Sequence, residues 1–127
     1  VIANRTAATA QELAAAFADL GAVAGIGLAD LAAEPTFDLV INGTSASLAG
    51  ELPPLPAHLL APGANAYDMM YSPQPTPFMR WAGAQGAGAV ADGLGMLVEQ
   101  AAEAFLVWRG RRPETRPVIA ALRTNAI

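Results

Sequence analysis

Phe37-Asp38-Leu39-Val40-Ile41-Asn42 is the stretch that most limits what this chain can become. Its apolar and β-branched run, closed by Gly43-Thr44-Ser45, predicts a buried strand ending in a turn. Other short strand patterns flank it, at Val1-Ile2-Ala3, Val23–Gly27, Asn65–Met70 and Gly86–Val90. Helical patterns separate them. Thr6, or Thr9 with Glu12, can cap a helix whose apolar face is Leu13, Phe17 and Leu20, with Gly21 as its stop. Further helices are predicted at Phe78–Gln85, from Asp92 to Trp108 before Gly110, and from Pro113 onward, with Val118, Ile119 and Leu122 as the last apolar face. The proline-rich stretch 46–63 reads as a loop with one helical turn at Ala57 to Leu60. Strands alternating with helices imply an α/β fold with a parallel sheet.

The composition removes many chemistries. The 127 residues suit one ordinary domain, and 54% hydrophobic against 14% charged is a globular balance. No uninterrupted apolar run predicts a membrane span, and the start does not read as a signal peptide. Without cysteine there is no disulfide, thiolate nucleophile or cysteine-ligated zinc. One histidine cannot form a histidine metal cluster. All seven basic residues are arginine, so no lysine base or Schiff base comes from this stretch. The net charge of −4 argues against nucleic acid as a partner. Residues 109–127 nevertheless carry a local +4. That excess can mark a nucleic-acid or membrane patch, but basic residues at helix C-termini and on a solvated face are the more ordinary source.

Four places can carry function. At Asn4-Arg5-Thr6 a strand meets a helix, where doubly wound folds place dinucleotides. NAD enzymes usually hold an acid there; an arginine suits the extra phosphate of NADP, which a guanidinium grips through two bonds. A plain turn with a surface arginine fits the same tripeptide. Asn42-Gly43-Thr44-Ser45 lets a flat ligand approach the backbone, or is an ordinary turn. In Tyr67-Asp68-Met69-Met70-Tyr71, Met69 can pack on a nicotinamide and Tyr71 can offer a hydroxyl to a polar substrate; simple core is the other reading. In Asp92-Gly93-Leu94-Gly95-Met96, Asp92 is a good N-cap, and two glycines cost about 1 kcal/mol each relative to alanine. Close approach of a ligand is one reason for them. Gly93, Met96 and Gln100 share one helical face, and Gln100 reads as a buried amide in need of partners. Gly86-Ala87-Gly88-Ala89-Val90-Ala91 fits a G-x-G-x-x-A fingerprint, but a helix rather than a strand precedes it.

Taken in order, Asn-Arg-Thr, Asn-x-Thr-Ser, Tyr-Asp-x-x-Tyr and Asp-Gly-x-Gly-Met-Leu-x-x-Gln resemble the shikimate dehydrogenase family. The likeness continues through Ala101–Phe105, Trp108, Pro113 and Pro117-Val118-Ile119. It implies NADP-dependent reduction of 3-dehydroshikimate to shikimate in aromatic amino-acid biosynthesis, in the cytoplasm. Asn4, Arg5 and Thr6 would bind the adenosine 2′-phosphate. Thr44, Met69, Gly93 and Met96 would serve the cofactor, and Tyr71 and Gln100 the substrate. Two departures stand out: Thr9 sits where many members have a second basic residue, and Gly43 where alanine is usual.

By the same resemblance the glycine-rich loop, the first strand and the catalytic lysine and aspartate lie upstream, in an N-terminal domain missing here. The expected architecture is therefore an incomplete Rossmann-like doubly wound parallel sheet. Residues 1–91 would form a partial NADP-binding domain, and 92–127 two C-terminal helices returning to the missing domain. Two alternatives remain at this point: a quinate/shikimate dehydrogenase preferring NAD, and a non-catalytic nucleotide-binding module.

Overall fold

A computed structural model of the protein describes residues 1–125. It is a parallel α/β fold. Strand β1 (Ile2–Asn4) leads to helix α1 (Ala7–Ala16), strand β2 (Gly25–Gly27) and a 3₁₀ turn over Leu28–Ala33. Strand β3 (Phe37–Asn42) has the expected bounds, but it is not the buried strand expected: Leu39 and Ile41 are exposed. A second 3₁₀ turn, Ala46–Ala49, precedes β4 (Leu60–Asp68), α2 (Pro77–Ala84), β5 (Ala89–Asp92), α3 (Leu94–Arg109) and α4 (Arg116–Asn125).

β1 pairs in parallel with β2, and β3, β4 and β5 form a second parallel sheet in that order. The two sheets do not hydrogen-bond to each other. Between them lies a cavity of about 130 Å³, bounded by Val1 and Ala3 on one side and Phe37, Leu39 and Ile41 on the other. The expected sheet is thus present as two pieces. The inner edges of β1 and β3 keep backbone donors and acceptors with no strand partner among the described residues. Such edges are costly when buried and prone to aggregate when open.

The core lies where α2 crosses the larger sheet. Phe78 and Ala82 of α2 are wholly buried against Leu60, Ala64 and Ala66 of β4, with Val40, Val90 and Trp81 packed around them. The Phe78 and Trp81 rings lie 5.5 Å apart. Burying one such side chain stabilises by about 1.5–3 kcal/mol. Thr76 caps α2 by accepting the Met79 N–H at 3.2 Å, and Pro77 occupies the first turn, where no N–H is needed.

Several local expectations are corrected. Thr9 lies inside α1 rather than capping it, and the helix ends before Phe17. Its buried residues are Ala10 and Ala14, while Leu13, Phe17 and Leu20 are exposed. Close backbone packing explains the reversal: a Cβ on Gly25 would lie 2.2 Å from the Ala10 carbonyl oxygen. Only the alanine stripe fits there. A turn forms at Ala57-His58, closed by the Leu59 N–H on the Pro56 carbonyl at 3.3 Å, but it stops short of Leu60, where β4 begins. The final helix starts at Arg116, three residues beyond Pro113. Gly110 ends α3 in the left-handed conformation, with φ 69°. The chain then folds back, and Arg112 bonds Glu103 at 2.7 Å and also reaches Glu99.

The unpaired edges carry a direct consequence. Expressed alone, the 127-residue chain is expected to show no cooperative thermal transition as a monomer; a single sharp monomeric melt by circular dichroism would contradict this.

Candidate functional site

Three polar residues stand in one row across the ends of β3, β4 and β5: Asn42 is in register with Asp68, and Asp68 with Asp92. Each is the last residue of its strand, and all three are buried. Parity explains this for β4, where Ala64, Ala66 and Asp68 alternate inward. Around this row the chain turns out of the sheet and carries the residues singled out above.

The first group forms a cleft. Asn4 and Arg5, at the end of β1, face Gly43, Thr44 and Ser45, at the end of β3, across a space of about 890 Å³. Asn4 Oδ1 accepts the Thr6 N–H at 3.1 Å, which shapes the turn into α1. Thr6 is the exposed N-cap residue of that helix, and it does not line the cleft. Asn42 Oδ1 accepts both the Thr44 N–H (3.1 Å) and its hydroxyl (2.8 Å), so Thr44 is held from within the strand. Arg5 is exposed at the rim.

The second group touches the first through Met69. A Cβ on Gly43 would lie 3.2 Å from the Met69 sulfur, a contact that a flexible side chain can relieve. A Cβ on Gly93 would lie only 2.0 Å from the Met69 carbonyl oxygen, and the Gly93 N–H donates to the Met70 carbonyl at 3.0 Å. The backbone that requires glycine at 93 is therefore the protein's own. Gly95 has open space above it.

α3 buries Leu94, Val98 and Ala102. Positions 96 and 100 lie about 200° around the helix from 94 and 98, so Met96 and Gln100 point outward. The expectation of a buried Gln100 is corrected: its side chain is exposed. Met69 (44% exposed), Tyr71 (49%) and Met96 (39%) are likewise open to contact. Tyr71 and Gln100 do not line the cleft that holds Arg5.

Sequence reasoning missed an ion pair that anchors this end of the fold. Asp92 Oδ1 accepts the Leu94 N–H at 3.2 Å, capping α3 from one residue before Gly93. Arg123 of α4 grips the same carboxylate with both terminal guanidinium nitrogens, Nη1 at 2.7 Å. Burial pushes the Asp92 carboxyl up, but the Arg123 bonds and the Leu94 N–H outweigh it and hold the pKa below the usual value. Arg123 is correspondingly raised by Asp92. An arginine seven residues into a terminal helix gave no sign of this partner in the sequence.

The family described as Shikimate 5'-dehydrogenase C-terminal domain matches residues 93–123. A shikimate dehydrogenase (NADP(+)) of Alkalilimnicola ehrlichii is 66% identical over 123 residues, which is 97% of this chain and 45% of that protein. The chain matches the C-terminal portion of shikimate dehydrogenases. It spans less than half the length of the curated relatives it matches. Among solved structures, an Ael1 enzyme from Pseudomonas putida superposes with a TM-score of 0.80 at 50% identity, covering 95% of this chain and 44% of that one. A shikimate 5-dehydrogenase from Thermus thermophilus, solved with NADP(H) and shikimate, superposes with a TM-score of 0.76 at 32% identity, covering 96% and 44%. The Rossmann-like parallel architecture with two C-terminal helices agrees with these shikimate dehydrogenase structures.

The Asp92–Arg123 pair makes stability depend on pH. Because the folded pKa is depressed, the stabilisation is complete above the unfolded carboxylate value of about 3.9 and is lost as pH falls through the lower folded value. In the full-length protein, Asp92→Asn is expected to lower the melting temperature at neutral pH and to narrow its gap from wild type as the medium is acidified below that value. A gap that stays constant down to the acid limit would count against the pairing.

Proposed function

We propose that this chain is the cofactor-binding and substrate-facing part of an NADP-dependent shikimate dehydrogenase that reduces 3-dehydroshikimate to shikimate. The observation that carries the reading is the cleft in which Asn4 and Arg5 of one sheet face Gly43, Thr44 and Ser45 of the other. Its volume of about 890 Å³ suits a large ligand. The residues present fit a dinucleotide phosphate: an exposed guanidinium with no acid beside it in the tripeptide, next to the start of a ten-residue helix.

In this reading Arg5 binds the adenosine 2′-phosphate, with Asn4 and Thr6 shaping the turn that presents it. Thr44 forms part of the cleft wall through its backbone and methyl group, since its hydroxyl hydrogen is committed to Asn42. Met69, Gly93 and Met96 bound the nicotinamide, which supplies the hydride when NADPH is in place. Tyr71 and Gln100 hydrogen-bond the hydroxylated ring. The sequence has no lysine; by resemblance, proton transfer falls to a lysine and an aspartate in the part of the family's chain outside the matched span.

The unpaired edges support the same picture. A parallel strand like those of the family's chain outside the matched span would enter between the two sheets and pair with both β1 and β3. Residues 1–91 then form the cofactor domain around it, and 92–127 the helices that return to the substrate domain. Phe105, Val107 and Trp108 of α3 and Val118 and Leu122 of α4 are exposed and available to that contact. No helix among the described residues is long and apolar enough to cross a membrane, and a cytoplasmic enzyme is the setting we propose.

NAD preference is the competing reading, and one substitution separates the two. In the full-length protein, Arg5→Ala is expected to raise the KM for NADP by roughly 10- to 100-fold, the loss of charge-assisted bonds to a phosphate, and to leave turnover with NAD unchanged. Equal losses with both cofactors would overturn the assignment of Arg5.

A further inference from the structure

Asp68 is wholly buried, at 0% exposure, and the reading above gives it no role. Its Oδ1 accepts from Asn42 Nδ2 at 3.1 Å and from the Met70 N–H at 3.1 Å. Its Oδ2 accepts from the Ser47 hydroxyl at 2.8 Å and the Thr76 hydroxyl at 2.6 Å. An ionised carboxylate can only accept, so each neighbour must turn a hydrogen toward it.

The consequences spread outward from that requirement. Asn42 must point its amide nitrogen at Asp68, which leaves Oδ1 facing Thr44 to accept its N–H and its hydroxyl. Ser47 commits its one hydrogen to Asp68 and accepts from Asn42 Nδ2 at 3.1 Å. Thr76 does the same with its hydrogen, so its oxygen is free to accept the Met79 N–H that starts α2. A single group without hydrogens thus sets the direction of the side-chain bonds that run from Thr76 through Ser47 and Asn42 to Thr44. Its bond to the Met70 N–H also fixes the bend after β4, from which Met69 reaches over Gly43 and Tyr71 leaves the sheet.

We infer that Asp68 is a positioning residue: it places Thr44 at the cofactor cleft through Asn42, and the Met69–Tyr71 turn through the Met70 N–H. The inference rests on the proposed function. Asparagine at 68 has nearly the same shape but brings two hydrogens into a space where four donors already point inward. Two donors lose their acceptor, whichever oxygen the new nitrogen replaces, and the Asn42 amide is no longer held to one orientation. The apolar contacts of Phe78 and Ala82 do not involve Asp68, while Thr44 and the turn are loosened.

The test uses the full-length protein and three variants, assayed well below each melting temperature: Asp68→Asn, Thr76→Val and Thr76→Ser. Asp68→Asn and Thr76→Val are expected to raise the KM for both NADP and shikimate roughly tenfold, with kcat moved less, while Thr76→Ser keeps both KM values within about twofold of wild type. If Asp68→Asn does not fold, the valine and serine variants decide the matter between them. Lower melting temperatures with unmoved KM values would mean a purely structural role and overturn the inference. A wild type with no NADP-linked oxidation of shikimate overturns the functional reading and this one with it; an active wild type whose variants keep wild-type KM values overturns the positioning role alone.

Discussion

A carboxylate taken out of water must have its lone pairs filled, or it costs several kcal/mol. Two such groups sit side by side at the ends of β4 and β5, and this end of the molecule is organised around filling them. Asp68 is satisfied by neutral donors: an amide, two hydroxyls and a backbone N–H. Asp92 is satisfied by a backbone N–H and by the guanidinium of Arg123. The first arrangement ties β3, β4 and α2 together. The second ties β5 and α3 to α4. Between them runs Met69, whose sulfur lies by Gly43 and whose carbonyl lies by Gly93. The positions that glycine occupies after Asn42 and after Asp92 are therefore parts of one packed unit.

A second constraint acts at the other side of β3. Its inner edge, and that of β1, keep backbone groups that no strand pairs among the described residues. The cavity between them and the cleft above it are two levels of one gap, since Val1, Ala3, Leu28, Ile41 and Thr44 border both. A strand inserted below would draw the two sheets into register and fix the distance between Arg5 and Thr44. On the proposed function, cofactor binding and completion of the sheet are coupled: a protein that cannot hold the two edges together cannot hold the cleft at a constant width.

Much of this was legible from pattern alone. The strand at Phe37–Asn42 announced itself because an apolar run closed by Gly-Thr-Ser leaves few other options, and the parallel arrangement followed from alternation. The approach of α1 escapes the pattern because hydrophobic size does not decide burial there. Ala10 and Ala14 are buried instead, since Gly25 lets the helix backbone come too near for leucine or phenylalanine. The exposure of Gln100 escapes it for a related reason: three residues in one helical face do not reveal whether that face turns inward. The Asp68 network was within reach, because an acid on the inward parity of a strand needs donors. Its side-chain partners were not, being 8 to 26 residues away in sequence. Arg123, 31 residues from Asp92, was beyond any local rule.

A crystal structure of the full-length protein with NADP bound tests the central claim most directly. The expected result is a strand hydrogen-bonded to both β1 and β3, with the adenosine 2′-phosphate within hydrogen-bond distance of the Arg5 guanidinium. A cofactor whose phosphate lies elsewhere, with Arg5 turned to solvent, would contradict it.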